Sequence, residues 1–361
     1  MISPYNFVPP PETIVLPAWA DHASHDIPFE DGISGHFDVE VTARTDIFVG
    51  DGDSDGFSRD PDGRYAIPGT SLRGMLRSVI EIAGFGRIAP FNNQRYGFRD
   101  LQNRREYGNH MAAIVRGEPT PLVNAGWLVR DGERWAIEPC HFAKAEYGML
   151  EGLARNIGVK GFRPNEKQSA VEKYKAFGDL AFQTYDCPVV LTLAGGQTVG
   201  GVKRISGYGV AGRGQPQRGR LVFTGQPQDR RAGETRKKHH DFLFFGEAGE
   251  PITVSPQQRE DFEFIHRADR AQHRDTVEPN EEWGFWLKQW PRVGRVPVFF
   301  LLKPDGGLRA FGLAMMFKLA YDQTTGDAVE GAQAGLAGAS RTAGVRHWPD
   351  LAEAMFGYVR G

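Results

Sequence analysis

Three stretches of this sequence hold residues whose types and spacing could do chemistry. The first is acidic. Asp51, Asp53, Asp55, Gly56 and Asp62 fall at positions 1, 3, 5, 6 and 12 of a calcium-binding loop. Carboxylates at that spacing can wrap a hard divalent cation, which makes Asp51, Asp53 and Asp55 metal-ligand candidates. The pattern departs from a calcium loop at its end, where Asp62 is shorter than the bidentate Glu expected, and Arg59 and Pro61 are poor neighbours. A solvated acidic turn is the plainer alternative, and a single functional carboxylate is a third.

The second stretch is Ile67-Pro68-Gly69-Thr70-Ser71 leading into LRGMLRSVIEIA. Thr70 or Ser71 can cap a helix, and Leu72, Met75, Leu76, Val79 and Ile80 fall on one stripe at helical spacing. The N-terminus of such a helix offers backbone N–H groups and the positive end of the helix dipole to a phosphate. Arg73 and Arg77, four residues apart, share a face, and Gly69 and Gly74 let another backbone come close. An ordinary capped helix with solvated arginines is the alternative. The third stretch, GGQTVGGVKRISGYGVAGRG and the strand-like residues after it, carries Lys203, Arg204, Arg213, Arg218 and Arg220. Glycines let main chain lie against a sugar-phosphate strand while the cations supply charge; solvated basic loops are the alternative here.

Other matches fail on context. Gly52-Asp53-Ser54-Asp55-Gly56 has the spacing of a nucleophile elbow, but FSRDPDG cannot begin the helix that motif needs. Gly207-Tyr208-Gly209-Val210-Ala211-Gly212 has the spacing of a dinucleotide fingerprint, yet it runs into RGQPQRGRLVF rather than a helix. Cys140-His141 is too short to bind metal alone, and His239-His240 sits in a basic run.

These residues need a scaffold, and the composition permits one. The chain has 361 residues, 40% hydrophobic and 24% charged, which suits a sizeable core and disfavours disorder. Cys140 and Cys187 are the only cysteines, which excludes a disulfide framework and fits a reducing cytoplasm. No apolar run reaches the ~20 residues of a membrane helix, so no membrane association is expected. The proline-rich start, without a basic n-region, does not read as a signal peptide. Net charge is −2, but it is unevenly spread: residues 1–62 carry a local −11, residues 63–105 a local +6 and residues 201–240 a local +8. A phosphate-binding protein needs a basic face, not a basic total.

The organisation reads as follows. Residues 1–35 form an irregular arm. Phe37, Val39 and Val41 alternate with polar residues as in a half-buried strand. A hairpin is expected over 125–138, turning at Asp131-Gly132. Further strands are expected at 188–193 and 220–224, and a basic loop at 226–240. Residues 296–302 and 311–321 form late core segments, 323–345 a flexible linker and 346–361 a C-terminal helix. The mixture is α+β.

Ile67-Pro68-Gly69-Thr70-Ser71-Leu72-Arg73-Gly74-Met75-Leu76-Arg77 closely resembles the I-P-G-[ST]-S-L-[KR]-G-x-[LM]-R motif of the RAMP superfamily of CRISPR-associated proteins. Pro4-Tyr5-Asn6-Phe7-Val8, Ala125-Gly126-Trp127-Leu128, Gly219–Gly225 and Phe311–Tyr321 resemble one RAMP subfamily with an N-terminal P-Y-N-F-V signature. The resemblance implies a ferredoxin-like, RNA-recognition-type RAMP core with large insertions, here over residues 36–322. It implies a backbone subunit of a type III-like effector that binds guide crRNA, recognises target RNA, and assembles with copies of itself and other effector subunits. Thr70, Ser71, Arg73, Arg77 and the cations from Lys203 to Arg220 would touch the guide. In RNA-cleaving relatives an Asp in the loop before the motif promotes attack of a ribose 2′-hydroxyl; Asp53 and Asp55 flank that position, and Mg is the divalent ion such chemistry would use. A RAMP-type endoribonuclease that processes guide precursors, and a calcium-stabilised interaction module, are the rival readings.

Overall fold

Alternating apolar residues and well-formed helix caps set the elements. The structure, a computed structural model, describes residues 8–24, 26–36, 38–51, 56–89, 93–115, 118–164, 168–192, 202–205, 215–225, 238–268, 278–338 and 348–358. In chain order these form β1 (Thr13–Leu16), α1 (Gly69–Ala83), β2 (Gly97–Phe98), α2 (Asn109–Met111), β3 (Ala112–Val115), β4 (Glu118–Pro121), β5 (Asn124–Asp131) and β6 (Arg134–Glu146). Then come α3 (Tyr147–Asn156), α4 (Ala170–Phe177), β7 (Thr184–Thr192), β8 (Val202–Ile205), β9 (Gln215–Val222), β10 (His240–Phe245), β11 (Ile252–Val254) and α5 (Pro256–Ile265). The last are α6 (Glu281–Val293), β12 (Val296–Leu302), β13 (Leu308–Gly312), β14 (Leu319–Ala320), α7 (Thr325–Ala332), β15 (Gly335–Gly338) and α8 (Leu351–Phe356). The fold is α+β, with a mainly antiparallel central sheet.

The chain divides into two units: residues 95–322, and residues 1–94 together with 323–361. The first unit is organised around β6. Its N-terminal half pairs with β5 on one side and β11 on the other; its C-terminal half pairs with β10. Beyond β5 the sheet continues through β12 to β13. Beyond β10 it continues through β9 and β7 to β8, which returns to β6 through the parallel pairing of Lys144 with Arg204. Five strands therefore close into a ring.

Both faces of this sheet are buried, and the two-residue period sorts the side chains between two cores. Trp135, Ile137, Ala143 and Ala145 of β6 enter one core with Leu128, Leu243, Val296, Val298 and Phe300. Cys140, on the opposite face of β6, enters the second with Ala125, Val222, Phe242, Phe244, Phe299 and Leu301. This explains why VPVFFLL is continuously apolar: a strand buried on both faces has no polar alternation. The first core is closed by α6, whose Trp283, Trp286 and Trp290 recur at helical spacing and are buried. Asn280 caps that helix by accepting from Trp283 N, and Gly294 ends it in the left-handed region at φ 77°.

The second unit pairs β1 with β15 in parallel and contains α1 and α8. Its bonding is largely polar: Asp350 accepts from Arg87 N, Gln333 bridges Ile88 N and Gly86 O, and Trp348 Nε1 donates to Pro17 O.

Several expectations need correction. The strand expected at residues 37–41 does not form among the described residues, and Phe37 lies outside them. Val39 and Val41 are 65% and 54% exposed, because alternation makes a strand only where a sheet edge accepts it. The hairpin 125–138 forms as β5 and β6, but Asp131 pairs with Arg134, so its turn is Gly132-Glu133, one residue later than expected. The stretch read as a flexible linker, residues 323–345, contains α7 and β15; Thr324 and Asp327 cap α7 reciprocally.

Candidate functional site

Within residues 95–322 a cleft of about 580 Å³ opens beside the second core, lined by Trp127, Glu138, Thr184, Arg218, Gly219, Arg220, Phe244 and Arg295 among others. Its construction follows from strand register. Arg218 and Arg220 lie two apart on β9, hence on one face, opposite Asp186 and Thr184 of β7. Gly219 between them is obligatory in its packing: a Cβ there would lie 2.4 Å from the carbonyl oxygen of Phe244. Only glycine lets β9 sit this close to β10, and that closeness fixes both arginines.

Trp127 on β5 supplies a half-buried ring at the same place. The Arg220 and Arg295 guanidinium carbons lie 5.8 and 5.7 Å from its ring centroid, and Phe244 packs edge-on at 5.4 Å. Arg218 Nε donates to Thr184 Oγ1 at 3.1 Å, which orients that side chain. Arg295 pairs weakly with Glu138 at 3.8 Å. Burial, and then the nearby charge of Arg295, hold the Arg220 pKa below its ordinary value. Two cations converging on one aromatic ring attract an anion that would relieve their repulsion. Glu247 and Glu250 at the rim make the mouth mixed in sign.

Behind the first core lies a buried ionic cluster next to β10. Lys173 Nζ donates to Asp241 Oδ2 at 2.9 Å, to Tyr147 Oη at 3.0 Å and to Thr224 O at 3.0 Å, and both charged side chains are fully buried. Lys238 also pairs with Asp241 and donates to Thr224 O at 2.7 Å. Burial pulls the Lys238 ammonium down to about 8, against the raising effect of Asp241. Every hydrogen of Lys173 has an acceptor, so the cluster fixes structure: it ties Thr224, two residues past β9, to Lys238 before β10.

In the other unit, α1 begins at Gly69 with Pro68 as its N-cap and no side-chain cap, so neither Thr70 nor Ser71 caps it. Arg73 Nη2 donates to Phe356 O at 2.6 Å, and Arg77 Nη1 to Gly357 O at 2.7 Å while its Nε pairs with Glu81 at 2.8 Å. Both arginines thus hold carbonyls at the C-terminal end of α8, where a cation is favoured. The apolar stripe of α1 has no buried residue; Met75, Leu76 and Val79 are exposed.

The acidic residues are only partly placed. Asp53 and Asp55 lie outside the described residues, and Asp51 N donates to Gly56 O at 3.4 Å. Asp60 and Asp62 both bind Arg64, at 3.0 and 2.6 Å, which commits the carboxylate at position 12 of the calcium pattern to an ion pair. Among the described residues no group of three or more His, Cys, Asp or Glu is placed to hold a metal ion. Lys203 and Arg204 lie on β8, opposite Leu191 and Val190 of β7. Arg213 lies outside the described residues.

Of the cations singled out from sequence, Arg218 and Arg220 are therefore brought together in the cleft. Trp127, Thr184 and Arg295 were missed, because only strand pairing across β5, β7, β9 and β12 makes them neighbours. The alternation within β5 was legible, but the ring's outward partners were not.

A comparison with known families covers part of the chain. Residues 40–147 match the model of the RAMP superfamily. The RAMP match takes in α1 with Arg73 and Arg77 and runs to the end of β6, including Trp127; it supports a CRISPR-associated, RNA-binding module. No curated protein matches the chain. No helix among the described residues is long and apolar enough to cross a membrane.

Proposed function

We propose that this chain binds a guide RNA as a backbone subunit of a multisubunit CRISPR effector of type III character, in the cytoplasm. The observation that carries the reading is the convergence of Arg220 and Arg295 on Trp127, with Arg218 lining the same cleft. Guanidinium groups bind phosphate in two-pronged fashion, and an aromatic ring stacks on any base, so together they suit a single strand without sequence preference. The match to the RAMP superfamily gives this arrangement its RNA context. Target RNA, further copies of the chain and other effector subunits are the partners that follow from the reading.

Within the same proposal Thr70, Ser71, Arg73 and Arg77 at α1, and Lys203, Arg204 and Arg213, are additional guide contacts. Arg73 and Arg77 would have to exchange their carbonyl partners on α8 for phosphate oxygens. Cleavage of target RNA by Asp53 or Asp55, with a divalent ion such as Mg supplying charge at the reacting phosphate, is the finer form of the proposal.

The test is nucleic acid that accompanies the protein. Full-length chain purified at low salt should carry RNA of defined length, and Arg218→Ala with Arg220→Ala should release it. Protein that purifies free of RNA, and binds single-stranded RNA no more tightly than a control protein of equal charge, would sink the reading.

A further inference from the structure

A second pocket in residues 95–322, of about 160 Å³, has no part in the cleft described above. Its floor is apolar: Phe98, Ile265 and Leu319, with Phe262 and Phe311 stacked at 4.6 Å and 8°. One wall is Tyr321, 53% exposed, whose ring lies 4.6 Å from that of Phe98. The β2–β14 pairing holds this wall, through Leu319 opposite Phe98 and the bond from Tyr321 N to Tyr96 O at 3.0 Å.

The rim is polar and of both signs. Arg309 Nη1 lies 2.7 Å from His110 Nδ1. A guanidinium only donates, so that nitrogen accepts. Burial and the charge of Arg309 both favour the neutral ring. Arg95 is already engaged, by Asp261 at 3.2 Å and by Asp322 O at 2.6 Å. Arg309, held against His110, and the exposed Lys318 are the other cations at the rim; Asp322 and Glu106, the latter 3.5 Å from Arg105, are its carboxylates.

The volume decides the size of the guest. Drug-sized ligands take ~300 Å³ or more, so this space admits one flat ring with the rest of the ligand outside it. An aromatic wall calls for a ring that stacks, acceptor carboxylates for a ring that donates hydrogen bonds, and Arg309 with Lys318 for an anion attached nearby. One chemical unit combines all three. We propose that this pocket takes a single unstacked nucleotide of bound RNA, its base against Tyr321 and Phe98 and its phosphate on Arg309 and Lys318. The proposal rests on the RNA-binding reading above and adds to it a second contact point, away from the Trp127 cleft.

The full-length protein is titrated with each of the four nucleoside 5′-monophosphates and with inorganic phosphate alone, followed by heat release. At least one monophosphate should bind with Kd below about 10 mM, a weak contact of a few kcal/mol. Inorganic phosphate should bind at least about 10-fold more weakly, since it lacks the stacking ring. Tyr321→Ala should weaken the monophosphate by about 5-fold or more, and Tyr321→Phe, which keeps the ring, should bind like the parent. Arg309→Ala should weaken it similarly, and both losses should persist in a Trp127→Ala, Arg218→Ala background, where the other cleft no longer contributes to mononucleotide binding.

The proposal is overturned if no monophosphate binds, if phosphate alone binds equally well, or if Tyr321→Ala and Arg309→Ala titrate like the parent. Failure of the RNA-binding reading looks different: Arg218→Ala and Arg220→Ala would leave RNA affinity intact whatever the mononucleotide titrations show.

Discussion

At the scale of single residues, the cleft gives Trp127 and the two β9 arginines separable tasks. Trp127→Ala removes a stacking surface and should weaken single-stranded RNA by ~1–3 kcal/mol at any salt. Arg218→Ala removes a phosphate contact and should lower the slope of log K against log salt by about 1. Fluorescence anisotropy across a salt series checks both, and equal slopes for the parent and Arg218→Ala would remove that residue from the phosphate contacts. A third residue reports on stability. Burial pushes His266 down to about 4, against the raising effect of its bond to Phe262 O at 2.8 Å. Its folded pKa lies below the unfolded value near 6.5, so its contribution is present above pH 6.5 and lost as pH falls toward 4. The parent should therefore lose melting temperature over that window more steeply than His266→Phe; parallel curves would show that His266 does not titrate there. The basic residues themselves were legible in the sequence, but their partners were not. Arg73 and Arg77 share a helix face as their spacing requires, yet nothing in the local sequence could reveal the α8 carbonyls, 280 or more positions away, that they bind.

At the scale of elements, position and length came through more clearly than pairing. The hairpin β5–β6 and the helix α1 stand where alternation and helical spacing put them, and the apolar run 296–302 enters the core as the strand β12. The strand expected near Val39 failed because its pattern had no edge to join, and α7 was missed because its Gly- and Ala-rich sequence gives little periodic signal, although Thr324 and Asp327 form a capping box. Two elements carry predictions. Gly219→Ala drives a Cβ into the β10 backbone, and overpacking of this kind should cost ~1–3 kcal/mol and weaken RNA binding with it. An unchanged denaturation midpoint would mean that β9 and β10 can separate without loss. The ionic cluster is the second. Asp241→Asn removes the carboxylate that Lys173 and Lys238 both bind directly and should cost ~3–5 kcal/mol, whereas Lys173→Met, which removes a charge that needs pairing, should cost clearly less. Thermal melts of the two variants compare them directly.

At the scale of the whole molecule, net charge misled and distribution informed. A total of −2 hides a strongly acidic first sixth and two basic stretches, one of which supplies the cleft arginines. The family match itself crosses the boundary between the two units, placing α1 in one and the β5–β6 hairpin in the other. Residues 95–322 contain both hydrophobic cores, so that fragment should unfold in one cooperative transition and keep the Trp127 cleft. A broad, non-cooperative melt of the fragment would show that it needs the remaining residues to fold.

The two-faced burial of β6 has a genetic consequence. Its Trp135, Ile137, Ala143 and Ala145 belong to one core and its Cys140 to the other, so inserting or deleting one residue near its centre turns half the strand inside out. Changes of length within β6 should therefore be lethal to folding.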